Sequence, residues 1–553
     1  MPTPKKETFH PKEITEKLKK TLPDDVHFRP VITEIGEVSY VGDGICKVHG
    51  LPSVHIDDMI EIQTDRGGTV KALVLGINEI EIEAVVMGDY TAIRQGNVVT
   101  SSGELLQMPI GEALLGRVVN PLGEPIDGKG PVHTHEFGMV ERLAPGVAKR
   151  QPVTEQFQSG VLVVDTIIPL GKGQRELVVG DRKSGKTKLM ESFIINQKGQ
   201  NIICVYVAIG AQKGKIRSLE ERLRVAGAMD YTAIVFGGSD EPPSINYIAP
   251  YAGSAVAEYF QFKGKDVIII YDDLSKHAKA YRQMSLLLKR SPGRDAYPGD
   301  IFYLHSRLLE RSSRLHQSLG SGSITAFPMA ETQNGDLSEY INTNLMSITD
   351  GHIFLDVNLM HEGILPAVNS GASVSRIGGS VQPPALRKCG ELASTQMARY
   401  NEVKSFETLN TEISEDTERE IKRGKRVLAT FDQKADLRLA NDEKTILMYL
   451  VTAGRFDNIE LPDVKKIKVE LVEFYRKGNY PEFREQSVKE KDIDKIGQLI
   501  NPIIADYVPT SQVEGAKYLI EEKKKEEGIL PIVPDTAPPA EAGKEGEKKE
   551  EKK

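Results

Sequence analysis

Residues 180–187 read Gly180-Asp181-Arg182-Lys183-Ser184-Gly185-Lys186-Thr187. The apolar run Leu177-Val178-Val179 comes directly before them, and apolar residues recur at helical spacing after them. Strand, glycine-rich turn and helix in this order form the context that the phosphate-binding pattern G-x-x-x-x-G-K-[ST] requires. The alternative interpretation, a glycine-rich turn with a solvated lysine, leaves that context unexplained.

The residue types of this P-loop fit a polyphosphate. Glycines at both ends let backbone N–H groups approach the anion without obstruction by side chains. We expect Lys186 to reach the β- and γ-phosphates and Thr187 to place its hydroxyl on Mg²⁺. The following helix directs its N-terminal dipole at the same anion. All eight residues are therefore predicted to bind ATP or ADP.

A second candidate magnesium ligand follows the apolar run at residues 267–271, which ends in Asp272 and Asp273. A buried strand that ends in a carboxylate beside a P-loop holds Mg²⁺ through water. Many buried strands end in Asp, so this inference depends on the presence of Lys186 and Thr187. Asp272 is predicted to be the Walker B carboxylate.

Changes of pattern divide the 553 residues into five segments. Residues 1–29 are polar, and residues 30–100 alternate short apolar runs with Gly and Asp turns, which is typical of an all-β barrel. Strands alternate with amphipathic helices over residues 101–384, which predicts an α/β P-loop domain of the RecA-like type. Residues 385–528 are predicted to form a helical domain, and residues 529–553, rich in Lys and Glu, a disordered tail.

Finer patterns lie inside these segments. Ile14, Leu18 and Leu22 recur every four residues, which predicts one short amphipathic helix that is either a docking segment or a loosely attached terminus. The barrel segment is acidic and poor in aromatic residues, which favours a structural barrel over one that binds nucleic acid. Six apolar runs of the central segment are candidate strands: 177–179, 202–208, 232–236, 267–271, 323–328 and 353–355.

Composition argues against several classes of protein. The formal net charge is -8, with both signs spread along the chain, so no nucleic-acid partner is expected. Cys46, Cys204 and Cys389 are far apart, which supports neither a disulfide framework nor a zinc site and fits a reducing cytosol. No run approaches 18 uncharged apolar residues, and residues 1–20 lack the apolar core of a signal peptide. Any membrane association is expected to run through other proteins.

Several longer motifs resemble those of the alpha subunits of F-type ATP synthases. They are GRVVNPLGEPIDG at 116–128, YDDLSK at 271–276, YLHSRLLER at 303–311 and SVSRIGG at 373–379. The resemblance covers roughly residues 30 to 525, and the collinear order of barrel, P-loop domain and helices is the same.

The resemblance implies an assembly and a function. Three copies would alternate with three beta subunits around a central shaft (gamma), joined to a peripheral stalk (delta and b). The ring would make ATP from ADP and phosphate, driven by a transmembrane proton or sodium gradient, as in the H⁺-transporting two-sector ATPases. The chain would then be a peripheral protein at the cytoplasmic face of the cell membrane. The helix near Ile14 would contact the peripheral stalk, and residues 292–300 would lie near the shaft.

The resemblance also assigns residues. Arg376 would be an arginine finger that acts in the beta subunit's active site, and Ser373 would shape the loop that carries it. Gln433 would contribute to nucleotide binding in the chain's own site.

The chain's own site is expected to be non-catalytic. Hydrolysis needs a group that orients the attacking water, which catalytic relatives carry as Gly-Glu-Arg after the third strand. Here the sequence is Gly210-Ala211-Gln212, with no acid. A flagellar-export ATPase, one alternative, would need that Glu, and a Rho-type hexameric helicase, the other, would need a nucleic-acid barrel.

Five substitutions depart from the family pattern. Lys183, Ala211 and Ala435 stand where Gln is usual, Leu365 where Arg is usual, and Met360 where an aromatic residue is usual. Lost contacts to base and ribose would remove hydrogen bonds worth roughly 0.5–1.5 kcal/mol each. We therefore expect the site to hold phosphates and Mg²⁺ with weak selectivity for the base.

Overall fold

A computed structural model describes residues 34–408, 414–435, 437–487 and 489–507. The predicted helix near Ile14 and the predicted tail at 529–553 lie outside these residues. None of the helices in these ranges combines the length and the hydrophobicity that a membrane span requires.

The N-terminal region is a closed antiparallel barrel, as predicted. Its six strands are β1 (Ile35–Gly42), β2 (Ile45–His49), β3 (Asp58–Gln63), β4 (Thr69–Ile77), β5 (Ile82–Val86) and β6 (Val98–Leu105). They pair in the order β1-β2-β5-β4-β3-β6. Alternate residues point inward: Val38, Ile60 and Val74 are fully buried.

The central region is an α/β domain built on an eight-stranded sheet, which confirms the predicted fold class. The strands after the barrel are β7 (Gln107–Ile110), β8 (Val118–Val119), β9 (Glu136–Met139), β10 (Gln156–Phe157), β11 (Leu170–Gly171), β12 (Leu177–Asp181), β13 (Ile202–Ala211), β14 (Thr232–Gly238), β15 (Asp266–Asp272), β16 (Ser323–Thr332), β17 (Gly351–Leu355) and β18 (Val374–Ser375). The sheet runs β18-β17-β12-β16-β15-β13-β14-β8, with β18 alone antiparallel at one edge. Short pairs β7-β9 and β10-β11 flank it.

Helices cover both faces of this sheet. They are α1 (Leu162–Ile167), α2 (Lys186–Asn196), α3 (Lys213–Val225), α4 (Pro243–Phe262), α5 (Leu274–Leu287), α6 (Ile301–Leu309), α7 (Tyr340–Ile348) and α8 (Val357–His361). Ile268 and Ile270 of β15 pack in the core with α1–α3, whereas Ile269 and Tyr271 pack in the core with α4–α7. A strand buried on both faces reads as a continuous apolar run, and for this reason the six candidate strands were recognisable and are all present.

The C-terminal region is helical, again as predicted. Its helices are α9 (Pro384–Thr408), α10 (Glu415–Phe431), α11 (Asn441–Thr452), α12 (Leu461–Lys477), α13 (Pro481–Gln486) and α14 (Ile493–Asp506). Ser414 caps α10 by accepting a hydrogen bond from the N–H of Thr417. Gly424 lets α10 approach α9 closely, because a Cβ there would overlap the ring of Tyr400. The helical core is continuous with the α1–α3 side of the sheet.

Candidate nucleotide site and the edge-strand arginine

The P-loop joins the end of β12 to the start of α2, and its shape depends on glycine. A Cβ on Gly180 would lie 2.6 Å from the carbonyl oxygen of Leu355 in the neighbouring strand. Gly185 has φ +98°, in the left-handed region that side chains disfavour. Lys183 is exposed at the turn with φ +67°. The backbone therefore wraps closely round the N-terminus of α2, where N–H groups bind anions.

Lys186 lies inside this turn. Its side chain is buried, and Nζ donates hydrogen bonds to the carbonyl oxygens of Gly180 (2.6 Å) and Asp181 (2.8 Å). Burial lowers the pKa of the ammonium, and neighbouring carboxylates, Glu331 foremost, oppose that shift. The cation is thus held among backbone groups at the position where the motif predicts the phosphates.

Thr187 and Asp272 come together at the mouth of the loop. The Thr187 hydroxyl donates to Asp272 Oδ2 (3.3 Å), and the buried Tyr206 hydroxyl donates to the same oxygen (2.5 Å). Asp273 points elsewhere: it caps α5 by accepting from the N–H of Lys276, and burial raises its pKa to about 6. Hard oxygen donors are what Mg²⁺ prefers, so Thr187 and Asp272 fit the metal that a bound nucleotide would bring.

The remaining loop residues have different surroundings. Asp181 accepts hydrogen bonds from the hydroxyl of Thr332 (2.6 Å), the last residue of β16, and from the N–H of Gly335 (2.8 Å), which ties the loop to the end of β16 and the turn that follows. Arg182 is exposed, and the side chain of Ser184 is buried. Asp181 is therefore a structural anchor of the loop, while Arg182 and Lys183 face solvent.

The amide of Gln433 is directed at the backbone. Its Oε1 accepts from the N–H of Leu162 (2.7 Å), and its Nε2 donates to the carbonyl oxygens of Gly160 (2.8 Å) and Leu437. The N–H of Gln433 donates to the carbonyl of Leu365, whose side chain is 49% exposed. Leu365 and Gln433 are thus neighbours, as the family pattern expects of residues at a base site. The side-chain amide of Gln433, however, is already hydrogen-bonded to backbone groups.

Arg376 follows the edge strand β18 and is exposed. Ser375 is registered with Gly351 at the start of β17, and the N–H of Arg376 donates to the carbonyl of Asp350 (2.8 Å). Gly180 is registered with Leu355 at the other end of β17. At about 3.3 Å per residue, the four steps from 351 to 355 separate Arg376 from the P-loop by about 13 Å along the strand.

Ser373 directly precedes β18. Its hydroxyl accepts from the N–H of Phe354 (2.9 Å) and donates to the carbonyl of Asn369 (2.7 Å). It therefore fastens the loop that leads to Arg376 onto β17.

Comparison with known proteins supports one family. Residues 160–375 match the nucleotide-binding domain of the ATP synthase alpha/beta family, and residues 382–506 match the C-terminal domain of the ATP synthase alpha/beta chain. The chain is 44% identical over 481 residues to ATP synthase subunit alpha of Latilactobacillus sakei subsp. sakei, an alignment that covers 86% of this chain and 93% of that one. The chain belongs to the ATP synthase subunit alpha family.

Other alpha subunits are similar to the same extent. That of Petrotoga mobilis is 43% identical, with 86% of this chain and 95% of the relative covered. The alpha subunit of Lactobacillus johnsonii is 45% identical, with 81% of this chain and 88% of the relative covered. As an alpha-family member with this P-loop, the chain is a nucleotide-binding component of ATP synthesis.

Two groups near these sites have no role assigned from the sequence. Glu331, at the end of β16, is the carboxylate that acts most strongly on the Lys186 ammonium. Glu331 lies three residues beyond the candidate strand at 323–328, and carboxyl ends of parallel strands meet at one edge of the sheet, so a longer strand there would predict its closeness to the P-loop. Gln174 and Glu176 lie buried beside β18. Their contact with β18 could not be predicted from a local pattern, because their neighbour Ser375 is about 200 residues away in sequence.

Proposed function

We propose that this alpha subunit binds ATP or ADP with Mg²⁺ at its own P-loop without hydrolysing it, and that it supplies Arg376 to the active site of a neighbouring beta subunit. The observation that carries the proposal is the placement of Arg376 and the P-loop at opposite ends of β17. An arginine side chain does not span that distance, which supports a role for Arg376 at a site outside its own nucleotide pocket.

The chemistry of Arg376 suits such a role. Phosphoryl transfer spreads negative charge over the γ-phosphate oxygens, and a planar, permanently charged guanidinium complements that charge with two hydrogen bonds. Arg376 forms no ion pair with a carboxylate among the described residues, and its guanidinium makes only a long contact (3.5 Å) with the carbonyl of Met346. It is therefore available to a partner.

The end of β13 supports a non-catalytic role for the chain's own site. Ala211 and Gln212 carry no carboxylate at the position where catalytic relatives hold Glu. Glu331 lies near Lys186 and is the rival candidate for orienting water. If Glu331 were a catalytic base, the isolated chain would hydrolyse ATP and Glu331→Gln would abolish that activity; we expect no turnover from either.

Weak recognition of the base also follows. The amide groups of Gln433 are bound to backbone, and Leu365 presents an apolar side chain to solvent, so neither offers a free hydrogen bond. The phosphates and Mg²⁺ would be held through Gly180 to Thr187 and through Asp272. A site of this kind regulates the assembly through phosphate and metal binding.

The assembly would be the rotary one that the family implies. Beta subunits would alternate with this chain around the gamma shaft, the delta and b subunits would form the peripheral stalk, and a proton or sodium gradient would drive ATP synthesis. The chain would meet the cytoplasmic face of the membrane through these subunits.

The deciding experiment measures steady-state ATPase of the reconstituted alpha–beta–gamma complex with Arg376→Lys in the alpha chain. Arginine fingers contribute roughly 10³–10⁵ in rate, or about 4–7 kcal/mol, so turnover should fall by that factor. Ring assembly and nucleotide binding at the beta sites should persist. The matched control is Arg224→Lys, whose exposed guanidinium pairs with Glu220 and Glu221 on its own helix. Activity of Arg376→Lys within a few-fold of wild type refutes the proposal.

A further inference from the structure

A buried polar pair lies beside the strand that carries Arg376. Gln174 and Glu176 belong to the turn that leads into β12, and both are completely buried. Gln174 Nε2 donates to Glu176 Oε2 (2.6 Å) and to Ser375 Oγ (3.3 Å), while its Oε1 accepts from the N–H of Gly171 (2.8 Å). One amide therefore links the turn, the buried carboxyl and the edge strand.

Glu176 is costly for the fold. Its Oε1 has no hydrogen-bond partner among the described residues. Burial raises the pKa of the carboxyl well above 4.5, and the hydrogen bond from Gln174 opposes this shift more strongly than the charge of Arg376 does. The carboxyl lies against Gly351, where a Cβ would come within 2.6 Å of Oε2. Buried polar atoms without partners destabilise a fold, so stability does not explain this residue.

The strand that bears Arg376 depends on side-chain bonds. β18 has only two residues, and only two of its positions are registered with β17. The side chain of Ser375 is held by two hydrogen bonds, since its hydroxyl donates to the carbonyl of Pro169 (2.7 Å) and accepts from the side-chain amide of Gln174. Asp350, whose carbonyl accepts from the N–H of Arg376, is held in turn: its carboxylate accepts from the N–H (3.0 Å) and guanidinium (3.0 Å) of Arg175. The start of the Arg376 side chain is thus fixed by the turn before β12.

We propose that Gln174 and Glu176 are positioning residues that hold β18 in place and so determine where the Arg376 guanidinium projects toward the beta subunit. The inference rests on the proposed role of Arg376 as a finger acting in trans. The pair touches no nucleotide-binding residue of its own P-loop; it acts through Ser375 and the backbone of Arg376.

The principal test variant is Glu176→Met, which keeps the volume of the side chain and removes the partly unpaired carboxyl. Gln174→Leu is the second variant, because it also removes the acceptor of the Gly171 N–H and therefore perturbs the turn. Gln197→Leu is the control. Gln197 is also buried, its Oε1, like that of Glu176, has no partner among the described residues, and its Nε2 donates to the carbonyl oxygens of Phe193 and Gln158, away from β18. Each is measured in the alpha–beta–gamma complex, alone and combined with Arg376→Lys, by release of radiolabelled phosphate.

Displacing a catalytic group by about 1 Å lowers the reaction rate by up to roughly 100-fold. If Glu176→Met shifts the Arg376 guanidinium in this way, kcat should fall about 10- to 100-fold with KM nearly unchanged. The melting temperature of the chain should stay the same or rise. In the Arg376→Lys background, the same substitution should change the rate less than about twofold, because groups that act as a unit are not additive. Gln197→Leu should leave kcat within about twofold of wild type.

Two results would overturn the inference. One is a kcat within twofold of wild type for both Gln174→Leu and Glu176→Met. The other is an equal fall of the rate in the wild-type and Arg376→Lys backgrounds, which a purely structural role requires. Either result, obtained while Arg376→Lys itself is crippled, refutes the positioning role and leaves the proposed function standing. A near-wild-type Arg376→Lys refutes both.

Discussion

Lys444 and Asp165 form a buried ion pair between the helical and nucleotide-binding regions. Nζ of Lys444, on α11, lies 2.6 Å from Oδ2 of Asp165, on α1, and both side chains are fully buried. The Asp165 carboxylate also accepts from the N–H (2.9 Å) and hydroxyl (2.8 Å) of Ser159 and from the N–H of Gly160 (2.9 Å). We predict that Lys444→Met destabilises the chain by leaving this carboxylate without its cation.

The magnitude follows from what remains around Asp165. Removing one partner of a buried pair costs roughly 3–5 kcal/mol. Three neutral donors still solvate the carboxylate, so the loss should lie at the lower end, about 3 kcal/mol. In a domain of roughly 150–250 residues, a loss of about 1 kcal/mol in the free energy of unfolding lowers the melting temperature by about 2–4 °C. Lys444→Met should therefore melt about 6–12 °C below wild type.

Scanning calorimetry of the full chain measures this shift. Adding Asp165→Asn to Lys444→Met removes the uncompensated charge and keeps one acceptor oxygen for the Ser159 donors. The amide NH₂ replaces the oxygen that accepts from the N–H of Gly160, so the double variant should recover part of the loss. The control is Lys466→Met, which breaks an exposed pair with Asp463 and should cost less than about 1 kcal/mol. A melting temperature for Lys444→Met within 2 °C of wild type, or a double variant less stable than the single one, would refute the reasoning about the buried charge.

Three further predictions concern the nucleotide site and acid stability. ADP and GDP should bind the isolated chain with affinities within roughly tenfold of each other, which is the worth of one hydrogen bond, and calorimetric titration showing an adenine preference above roughly 100-fold would contradict the weak base site. Thr187→Ala should weaken binding of ADP roughly tenfold in the presence of Mg²⁺ and little in EDTA; an equal loss in both would exclude a metal contact. Burial lowers the pKa of His305 to about 4 and that of His277 well below 6.5. Because the fold keeps both neutral, their contribution to stability is complete above about pH 6.5 and falls as the pH drops toward 4, by about 2 kcal/mol from His305 at pH 5. His305→Leu should reduce that acid sensitivity in melts at pH 7 and pH 5, and an unchanged difference between the two pH values would count against the assignment.

The nucleotide-binding loop could be predicted in detail because its determinants are contiguous. Gly180, Gly185, Lys186 and Thr187 lie within eight residues, and the flanking strand and helix announce themselves by their own periodicity. The closeness of Asp272 to Thr187 was also predictable, since parallel strands bring their carboxyl ends to one edge of the sheet, whereas its role as a magnesium ligand stays a prediction. The structure adds that Asp272 rather than Asp273 faces Thr187, because Asp273 is used as a helix cap.

The surroundings of Gln433 and Arg376 could not be predicted in the same way. Gln433 bonds to Gly160 and Leu162, more than 270 residues away, and no local pattern encodes such a contact. The position of Arg376 along the sheet, relative to the P-loop, depends on the register between β18 and β17, and β18 is too short to show periodicity in the sequence.

By itself, the amino-acid sequence determined the order of barrel, α/β domain and helices, the P-loop and the membership in the alpha-subunit family, since these depend on local periodicity and contiguous motifs. Only the tertiary structure decided that Arg376 lies about 13 Å along β17 from the P-loop. It also decided that Gln174 and Glu176 lie buried beside the Arg376 strand and that Lys444 neutralises Asp165. The physical reason is that strand register and the pairing of buried polar groups result from packing between distant segments, which short-range sequence patterns do not specify.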